Sequence, residues 1–177
     1  MGQTGATPAD LRKIKAIAFD VDGVLTDGGM WWGADGEEFK RFSFADIMGI
    51  SLARRAGLAL TLISGEASPL VDRYAAKMHI TDFTKGCRDK AAALREFARR
   101  NNLALADICF MGDDVNDLSA MEIAGMSAAP ANARPEVLAK VDFISTSPGG
   151  NGAVRELTDL LIAAHGLDAQ TLFHKRI

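Results

Sequence analysis

The sequence predicts an α/β fold in which helices cover both faces of a central parallel sheet. Two observations predict it: short apolar segments alternate with helical ones, and the apolar segments are continuous instead of alternating with polar residues. Strands that alternate with helices pair in parallel through right-handed crossovers. Strands without a polar face are buried on both sides. A length of 177 residues suits one such domain with a sizeable core.

The first half of the chain is predicted to form three strands, a hairpin and two helices. Gly57 ends one helix, and Ser68 caps the next helix, whose first position is Pro69. The hairpin turns at Asp35-Gly36 between apolar and aromatic residues. In order, we expect a strand from 15 to the acidic pair at 20 and 22, the hairpin at 30–42, a helix at 47–57, a strand at 58–64, a helix at 68–78 and a strand at 80–86.

The second half continues the alternation and closes on a helix. Its first helix is amphipathic, with basic residues in its last turns. In order, we expect a helix at 90–102, a strand at 107–114, a helix at 116–125, a strand at 126–131, a helix at 134–141, a strand at 143–147 and a helix at 153–166. The chain is then one domain over 14–168, with a flexible N-terminus at 1–13, a hairpin flap near 28–42 and a tail at 169–177.

Composition excludes several classes of function. The formal net charge of −3, from 20 basic and 23 acidic residues, argues against a general nucleic-acid binder. No segment approaches the ~20 apolar residues of a membrane span, and the N-terminal residues contain no apolar signal core. Cys87 and Cys109 fit neither a disulfide framework nor a metal-ligand spacing, which is typical of thiols in a reducing compartment. We therefore expect a cytoplasmic protein with no membrane or nucleic-acid partner.

Polar residues follow three of the predicted strands at their carboxyl ends. Asp20 and Asp22 follow the first strand, Ser64 ends the second, and Asp113 and Asp114 follow a third. In a parallel sheet these ends face one crevice, where ligands bind. Neighbouring carboxylates repel one another unless a cation lies between them, and Mg²⁺ binds one or two carboxylates together with water and phosphate oxygens. The pattern predicts a magnesium site, although a pair such as Asp20 and Asp22 by itself is more often a pair of solvated loop acids.

Four segments together resemble the motifs of the haloacid dehalogenase-like phosphohydrolases, in the same order. They are DVDGVLTDG after the first strand, Ser64 at the end of LTLIS, Lys90 in KGCRDKAAAL, and GDDVND at 112–117. The resemblance covers nearly the whole chain. It implies a Rossmann-like three-layer sandwich that hydrolyses phosphate monoesters with Mg²⁺.

The resemblance also implies a role for each motif residue. Asp20 is the nucleophile that takes the phosphoryl group as an aspartyl phosphate, and Asp22 protonates the leaving oxygen and then activates water. Ser64 binds a phosphoryl oxygen, and Lys90 neutralises Asp20 and the transferred group. Mg²⁺ is bound by the carboxylates of Asp20 and Asp113 and by the backbone carbonyl of Asp22.

Other acidic and polar residues are expected around these groups. Asp114, Asn116 and Asp117 surround the metal site, where Asn116 and Asp117 position Lys90 or a water molecule. Asn116 alternatively caps the helix that follows. Asp27 turns the chain or contacts substrate, and Asp46 contacts a sugar hydroxyl or caps the helix that follows it.

The spacing of the motifs leaves no room for the cap domain that most phosphatases of this kind carry. Between Asp22 and Ser64 lie 41 residues, mostly a hairpin and one helix, and Ser64 and Lys90 are 26 positions apart. The chain therefore resembles the capless branch, the 3-deoxy-octulosonate 8-phosphate phosphatases and their relatives. Members of that branch form homotetramers in which neighbouring subunits close each active site. Trp31 and Trp32 on the hairpin suit such an interface, or alternatively pack on their own domain.

The residues expected to bind the sugar favour a nine-carbon substrate. Glu66 follows Ser64 and Gly65 where the octulosonate branch has Arg, and a Lys, Lys77, follows eleven residues later. Both resemble the sister group that acts on 2-keto-3-deoxy nine-carbon sugar acid 9-phosphates of the KDN or N-acylneuraminate type. Lys77 is alternatively a solvated helix residue.

Two alternatives to this function stay open, another substrate and another class of protein. One is 3-deoxy-D-manno-octulosonate 8-phosphate, as in lipopolysaccharide synthesis. The other, from a different class, is a phospho-receiver signalling module, which also uses Mg²⁺, acidic residues and Lys on a parallel sheet. A receiver carries its adjacent acidic pair after the first strand, whereas here that position holds Asp20 and Asp22, one residue apart.

Overall fold

The protein was analysed as a computed structural model, which describes residues 2–5 and 7–175. Its centre is a seven-stranded sheet in the order β1-β9-β8-β7-β2-β5-β6, in which only β1 at the edge runs antiparallel to its neighbour. A separate two-stranded hairpin is formed by β3 and β4. The strands are β1 Gln3–Thr4, β2 Ala16–Phe19, β3 Trp31–Trp32, β4 Glu38–Phe39, β5 Ala59–Ile63, β6 Asp82–Thr84, β7 Ile108–Met111, β8 Met126–Ala129 and β9 Phe143–Ile144.

Eight α-helices are described, and those between successive strands make the crossovers. Each helix predicted from the sequence is present with shifted ends; the segment at 116–125, for example, forms a 3₁₀ turn, Val115–Asp117, before its helix. The helices are α1 Pro8–Lys13, α2 Phe44–Arg55, α3 Pro69–Met78, α4 Lys90–Arg100, α5 Leu118–Met121, α6 Pro135–Leu138, α7 Ala153–Ala164 and α8 Ala169–His174.

The sheet separates two apolar cores, which gives the three-layer sandwich that the sequence predicts. Ile17 and Phe19 of β2 belong to the core that also contains Leu157 of α7. Ala16 and Ala18 of the same strand belong to the other core, beneath α4 and α5. Successive strand residues point to opposite faces, and burial of both faces explains why β2 carries no polar residue.

The described residues contain no cap domain. Between Asp22 and Ser64 the described regular structure is the hairpin, α2 and β5, and between Ser64 and Lys90 it is α3 and β6. In the hairpin, Trp31 pairs with Phe39 around the predicted Asp35-Gly36 turn, and Gly36 has the positive φ of 86° that such a turn requires.

Both ends of the chain contain regular structure, and the flexibility predicted for 1–13 stays a prediction. The described residues of this N-terminal segment include β1 and α1. Thr7 and Asp10 cap each other at the start of α1, and the Nε of Arg12 donates a hydrogen bond to the Ala164 carbonyl at 2.9 Å. In the tail, Nη1 of Arg55 donates to the carbonyl oxygens of Phe173 and Lys175, at the end of α8. Positions 1, 6, 176 and 177 lie outside the described residues.

The order of the strands places the motif residues side by side. The central strand β2 pairs in parallel with β5 on one side and β7 on the other, with Phe19 opposite both Leu62 and Met111. Asp20, Ser64 and Gly112 follow directly after these three strands. Three polar loops therefore leave the same edge of the sheet at neighbouring positions. No helix among the described residues is long and apolar enough to cross a membrane.

Candidate active site

The carboxyl ends of β2, β5 and β7 open into a small, strongly acidic cavity of about 220 Å³. It brings together residues from all three loops, as the sequence predicts. Its lining residues are Asp20, Asp22, Gly65, Glu66, Asp113, Asp114 and Asn116. Carboxylates this close together repel one another unless positive groups lie nearby.

Lys90, the first residue of α4, supplies one such group beneath the cavity. Its side chain is only 1% exposed, and its Nζ lies 2.8 Å from Oδ1 of Asp20 and 2.6 Å from Oδ1 of Asp117. Burial lowers the pKa of Lys90, but the charges of Asp20 and Asp117 outweigh burial and raise that pKa above its usual value. Lys90 is therefore a fixed positive charge that holds Asp20 in one orientation.

Asp117 shapes the loop that carries Asp113. Its Oδ2 accepts hydrogen bonds from the backbone N–H groups of Asp113 and Asp114, at 3.0 and 3.2 Å, while its Oδ1 binds Lys90. Gly112 is required here, because a Cβ at this position would lie 2.4 Å from Cγ of Asp117. Asp117 thus positions Lys90, as the sequence predicts, and also folds the loop.

Three carboxylates form a cluster that could hold a metal ion. One oxygen from each of Asp20, Asp113 and Asp117 lies within 4.8 Å of the others. Both oxygens of Asp117 already bind Lys90 and the loop, which leaves Asp20 and Asp113 as the available ligands. The Oδ1 of Asp113 is buried and accepts no hydrogen bond from the described residues. Buried carboxylate oxygens without a donor are costly unless they bind a cation.

The same crowding raises the pKa values of both available ligands. Burial, followed by the charge of Asp117, raises the pKa of Asp20 to about 7 against the opposing effect of Lys90. Burial, followed by the charges of Asp20 and Asp117, raises the pKa of Asp113 to about 8. A cation between the two carboxylates would remove the repulsion and favour their ionised forms.

Asp22 lies at the cavity wall but outside the carboxylate cluster. Its Oδ1 lies 2.8 Å from Nζ of Lys40, a residue of the hairpin arm that the sequence analysis did not select. A single Lys just after a short strand carries no signal of its own, and the contact depends on how the hairpin folds back over the sheet edge. The separation of Asp22 from the cluster agrees with a metal contact through its backbone carbonyl alone.

The loop after β5 forms the opposite wall. The hydroxyl of Ser64 is buried and accepts a hydrogen bond from the backbone N–H of Glu66 at 3.1 Å. Gly65 and Glu66 are exposed and line the cavity. Asn116 also lines it, whereas Asp114, and not Asn116, caps the following 3₁₀ turn through the N–H of Val115.

Asp46 is buried and does not line the acidic cavity, and its contacts fit neither predicted role, a sugar contact or a cap of the helix that follows it. Its carboxylate is fully buried. Its two oxygens accept hydrogen bonds from the backbone N–H groups of Gly152 at 3.1 Å and Arg155 at 3.0 Å. Asp46 therefore caps the distant helix α7, while Ser43 caps its own helix. Burial raises the pKa of Asp46, opposed by these hydrogen bonds.

Two further predicted substrate contacts lie outside the acidic cavity. Lys77 lines a separate groove of about 820 Å³ beside the hairpin, which also contains Phe39 and Tyr74. Asp27 is exposed, and its Oδ1 accepts a hydrogen bond from the N–H of Gly29 at 2.9 Å. Of its two predicted roles, this contact supports the turn.

Comparisons with known proteins agree with this geometry. Residues 60–157 match the model of a family described as haloacid dehalogenase-like hydrolase. The 3-deoxy-D-manno-octulosonate 8-phosphate phosphatase of Escherichia coli (strain K12) is 35% identical over 158 residues, which are 89% of this chain and 84% of the relative.

Solved structures of such phosphatases share the fold over nearly the whole chain. The enzyme of Moraxella catarrhalis, in complex with magnesium ion, phosphate ion and KDO, has a TM-score of 0.90 and 34% identity, and the match covers 95% of this chain and 97% of that one. The cobalt-bound enzyme of Haemophilus influenzae has a TM-score of 0.88 and 34% identity, with 94% and 99% covered.

Proposed function

The chain belongs to the haloacid dehalogenase-like hydrolases, in their capless phosphatase branch, and we propose that it hydrolyses 3-deoxy-D-manno-octulosonate 8-phosphate. One observation carries the proposal: relatives with that activity match this chain at 35% identity over 89% of its length. The nine-carbon substrate that the sequence analysis favours is not supported. Of the two residues on which it depends, Lys77 lines a different groove from Glu66.

The arrangement of Asp20 and Lys90 suits the first half of the reaction. Asp20 attacks phosphorus with one carboxylate oxygen, and the bond from phosphorus to the sugar oxygen breaks to leave an aspartyl phosphate. Lys90 holds Asp20 through Oδ1 at 2.8 Å and offsets the charge of the transferred group. Asp22, at the cavity wall, gives its proton to the departing sugar oxygen.

The second half of the reaction uses the same residues in reverse. Asp22, now ionised, removes a proton from a water molecule that attacks the phosphorus of the aspartyl phosphate. Phosphate leaves and Asp20 is regenerated. Ser64 is suited to bind a phosphoryl oxygen, because its hydroxyl accepts from Glu66 and keeps its own proton to donate.

Asp20 and Asp113 fit Mg²⁺, with the backbone carbonyl of Asp22 as a third ligand. The buried, unpartnered Oδ1 of Asp113 is the observation that supports the fit. Gly23 has a positive φ of 91°, and a Cβ there would lie 2.1 Å from Oδ2 of Asp113, so the loop leaves room for the carboxylate only with glycine. When bound, Mg²⁺ neutralises the carboxylates and polarises the phosphoryl group.

Phosphate release measured side by side on three substrates tests the proposal. With Mg²⁺ present, we expect kcat/KM for 3-deoxy-D-manno-octulosonate 8-phosphate to exceed that for KDN 9-phosphate and N-acetylneuraminate 9-phosphate by at least about tenfold. A preference for either nine-carbon substrate would overturn the proposed substrate and restore the importance of Glu66. Equal, slow hydrolysis of all three would leave the phosphatase chemistry in place with a different natural substrate.

A homotetramer and a cytoplasmic location remain predictions of the sequence analysis. The tetramer gains support from the hairpin, where Trp31 and Trp32 are 67% and 75% exposed. Large aromatic side chains at the surface of a hairpin are typical of an interface.

A further inference from the structure

One side chain of the hairpin arm, Lys40, contacts a wall residue of the acidic cavity and also lines the separate groove beside the hairpin. Lys40 follows β4, and its side chain is only 2% exposed although its neighbour Phe39 is at the surface. The Nζ of Lys40 lies 2.8 Å from Oδ1 of Asp22 and 3.6 Å from Oε1 of Glu38. A buried ammonium group next to two carboxylates is a costly arrangement unless all three are held in place.

Neighbouring contacts do hold the hairpin strand in place. Oε1 of Glu38 accepts a hydrogen bond from the hydroxyl of Ser68, the N-cap of α3, at 2.9 Å. On the other side, Nη1 of Arg41 donates to the carbonyl of Gly150 at 3.0 Å. Lys40 therefore reaches Asp22 from a strand that is fixed on both sides of it.

The contact makes the two oxygens of Asp22 different. Oδ1 is paired with Lys40, whereas Oδ2 is buried and has no hydrogen-bond partner among the described residues. A carboxyl group that carries a proton to and from a substrate needs a fixed orientation. The ion pair with Lys40 supplies this condition for Asp22.

We propose that Lys40 is a positioning residue: its ammonium group, 2.8 Å from Oδ1, holds the carboxyl group of Asp22 in the orientation in which that group moves protons in both half-reactions. The inference rests on the proposed phosphatase function. In the first half-reaction the proton of the Asp22 carboxyl group passes to the leaving oxygen. In the second, the carboxylate takes a proton from the attacking water, and the group returns to its starting state. No motif predicts this residue, since its role depends only on where the hairpin packs.

The alternative is that Lys40 only fastens the hairpin to the domain. Arg41 provides the matched control, because it anchors the same strand and does not contact Asp22. If anchoring were the whole role of Lys40, Lys40→Met and Arg41→Met would have the same effects.

The experiment uses 4-nitrophenyl phosphate with the full chain and Mg²⁺. The 4-nitrophenolate group leaves without needing a proton, so the first half-reaction no longer depends on Asp22, whereas hydrolysis of the aspartyl phosphate still does. For Lys40→Met we expect a burst of about one nitrophenolate per site, followed by a steady state in which kcat is about 10- to 100-fold below wild type. KM should stay within about threefold, and Lys40→Arg should recover part of kcat. Arg41→Met should show no burst.

The outcomes separate this inference from the proposed substrate. Wild-type kinetics for Lys40→Met, or a burst in Arg41→Met as well, would overturn the role of Lys40 and leave the octulosonate proposal untouched. A burst in Lys40→Met alone would uphold the inference even if the wild type failed to hydrolyse the octulosonate phosphate. If wild type hydrolysed neither compound, both proposals would fail. If Lys40→Met does not fold, the same burst and steady-state measurements are made on Lys40→Gln, which removes the charge and keeps a polar group.

Discussion

The acidic cavity and the outer face of the hairpin differ in how far contacts within this chain cover their side chains. Beneath the cavity, Lys90 is buried between Asp20 and Asp117, and at the cavity wall Asp22 pairs with Lys40. On the outer face of the hairpin, Trp31 and Trp32 of β3 pack on little of their own domain and are largely exposed. The catalytic groups are thus held by one chain, whereas the hairpin surface is left for a partner.

The comparison teaches that the two faces of one hairpin serve different purposes. Its inner side carries Glu38 and Lys40 toward α3 and the cavity, and its outer side carries aromatic residues to the surface. Changes to the cavity should therefore affect chemistry, changes to buried caps should affect folding, and changes to the outer face should affect assembly. Four predictions test this division.

The largest effect is expected for Asp20→Asn, which keeps the shape of the side chain and removes the nucleophile. We expect kcat to fall by at least about 10⁴-fold, because no aspartyl phosphate can form. Phosphate release under saturating substrate measures the change. Lys140→Met is the control, since Lys140 is exposed, pairs with Glu122 and does not line the cavity. More than about 1% residual activity in Asp20→Asn would mean that another group attacks phosphorus.

The next largest effect should follow from Asp46→Ala, which removes a buried cap without touching the cavity. The substitution leaves the N–H groups of Gly152 and Arg155 without acceptors. We expect the free energy of unfolding to fall by about 2–4 kcal/mol, with kcat nearly unchanged in the molecules that remain folded. Urea unfolding gives the value.

Ser43→Ala is the matched control for Asp46→Ala. Ser43 caps the exposed start of α2 through the N–H of Ala45 at 3.2 Å, and its loss should cost only about 1 kcal/mol. If Asp46→Ala lowered kcat strongly without a loss of stability, Asp46 would belong to the site after all.

A smaller effect is expected from pH in the presence of a chelator. Folding raises the pKa values of Asp20 and Asp113 to about 7 and about 8. At pH values above the ordinary pKa of a carboxyl group and below these raised values, the folded state therefore binds more protons than the unfolded state. Stability must then fall as pH rises through this range. With EDTA we expect Tm to drop by more than about 4 °C between pH 5 and pH 8.

Added Mg²⁺ should remove most of this slope, since it stabilises the ionised carboxylates. Asp113→Asn, which removes one of the titrating groups, should flatten the profile even in EDTA. A Tm that rose with pH in EDTA would contradict the proposed repulsion in the cavity.

The smallest effect on stability should come from the outer face of the hairpin. Trp31→Ser combined with Trp32→Ser removes side chains that are already exposed, so the free energy of unfolding of a single chain should change by less than about 0.5 kcal/mol. Light scattering should instead show a shift from a larger assembly toward monomer. A wild-type chain that is already monomeric would remove the support for a tetramer.

The sequence alone determined the chemistry of the cavity but not the order of the strands. Continuous apolar strands and capped helices are local patterns, and the polar residues after the predicted strands are expected to face one crevice because parallel strands end at the same edge of the sheet. Asp20, Asp22 and Asp113 could be selected for this reason, and Lys90 through its place in the motifs that the chain shares with the haloacid dehalogenase-like phosphohydrolases.

Contacts between distant segments were decided only by the tertiary structure. Asp46 is 106 positions from the Gly152 N–H that it caps, and Lys40 meets Asp22 only because the hairpin folds back across the sheet edge. The ordering of α1 and α8 likewise depends on Arg12 and Arg55 reaching carbonyl groups far along the chain. Local patterns depend on residues a few positions apart, whereas partners of this kind are chosen by packing, which no short stretch of sequence specifies.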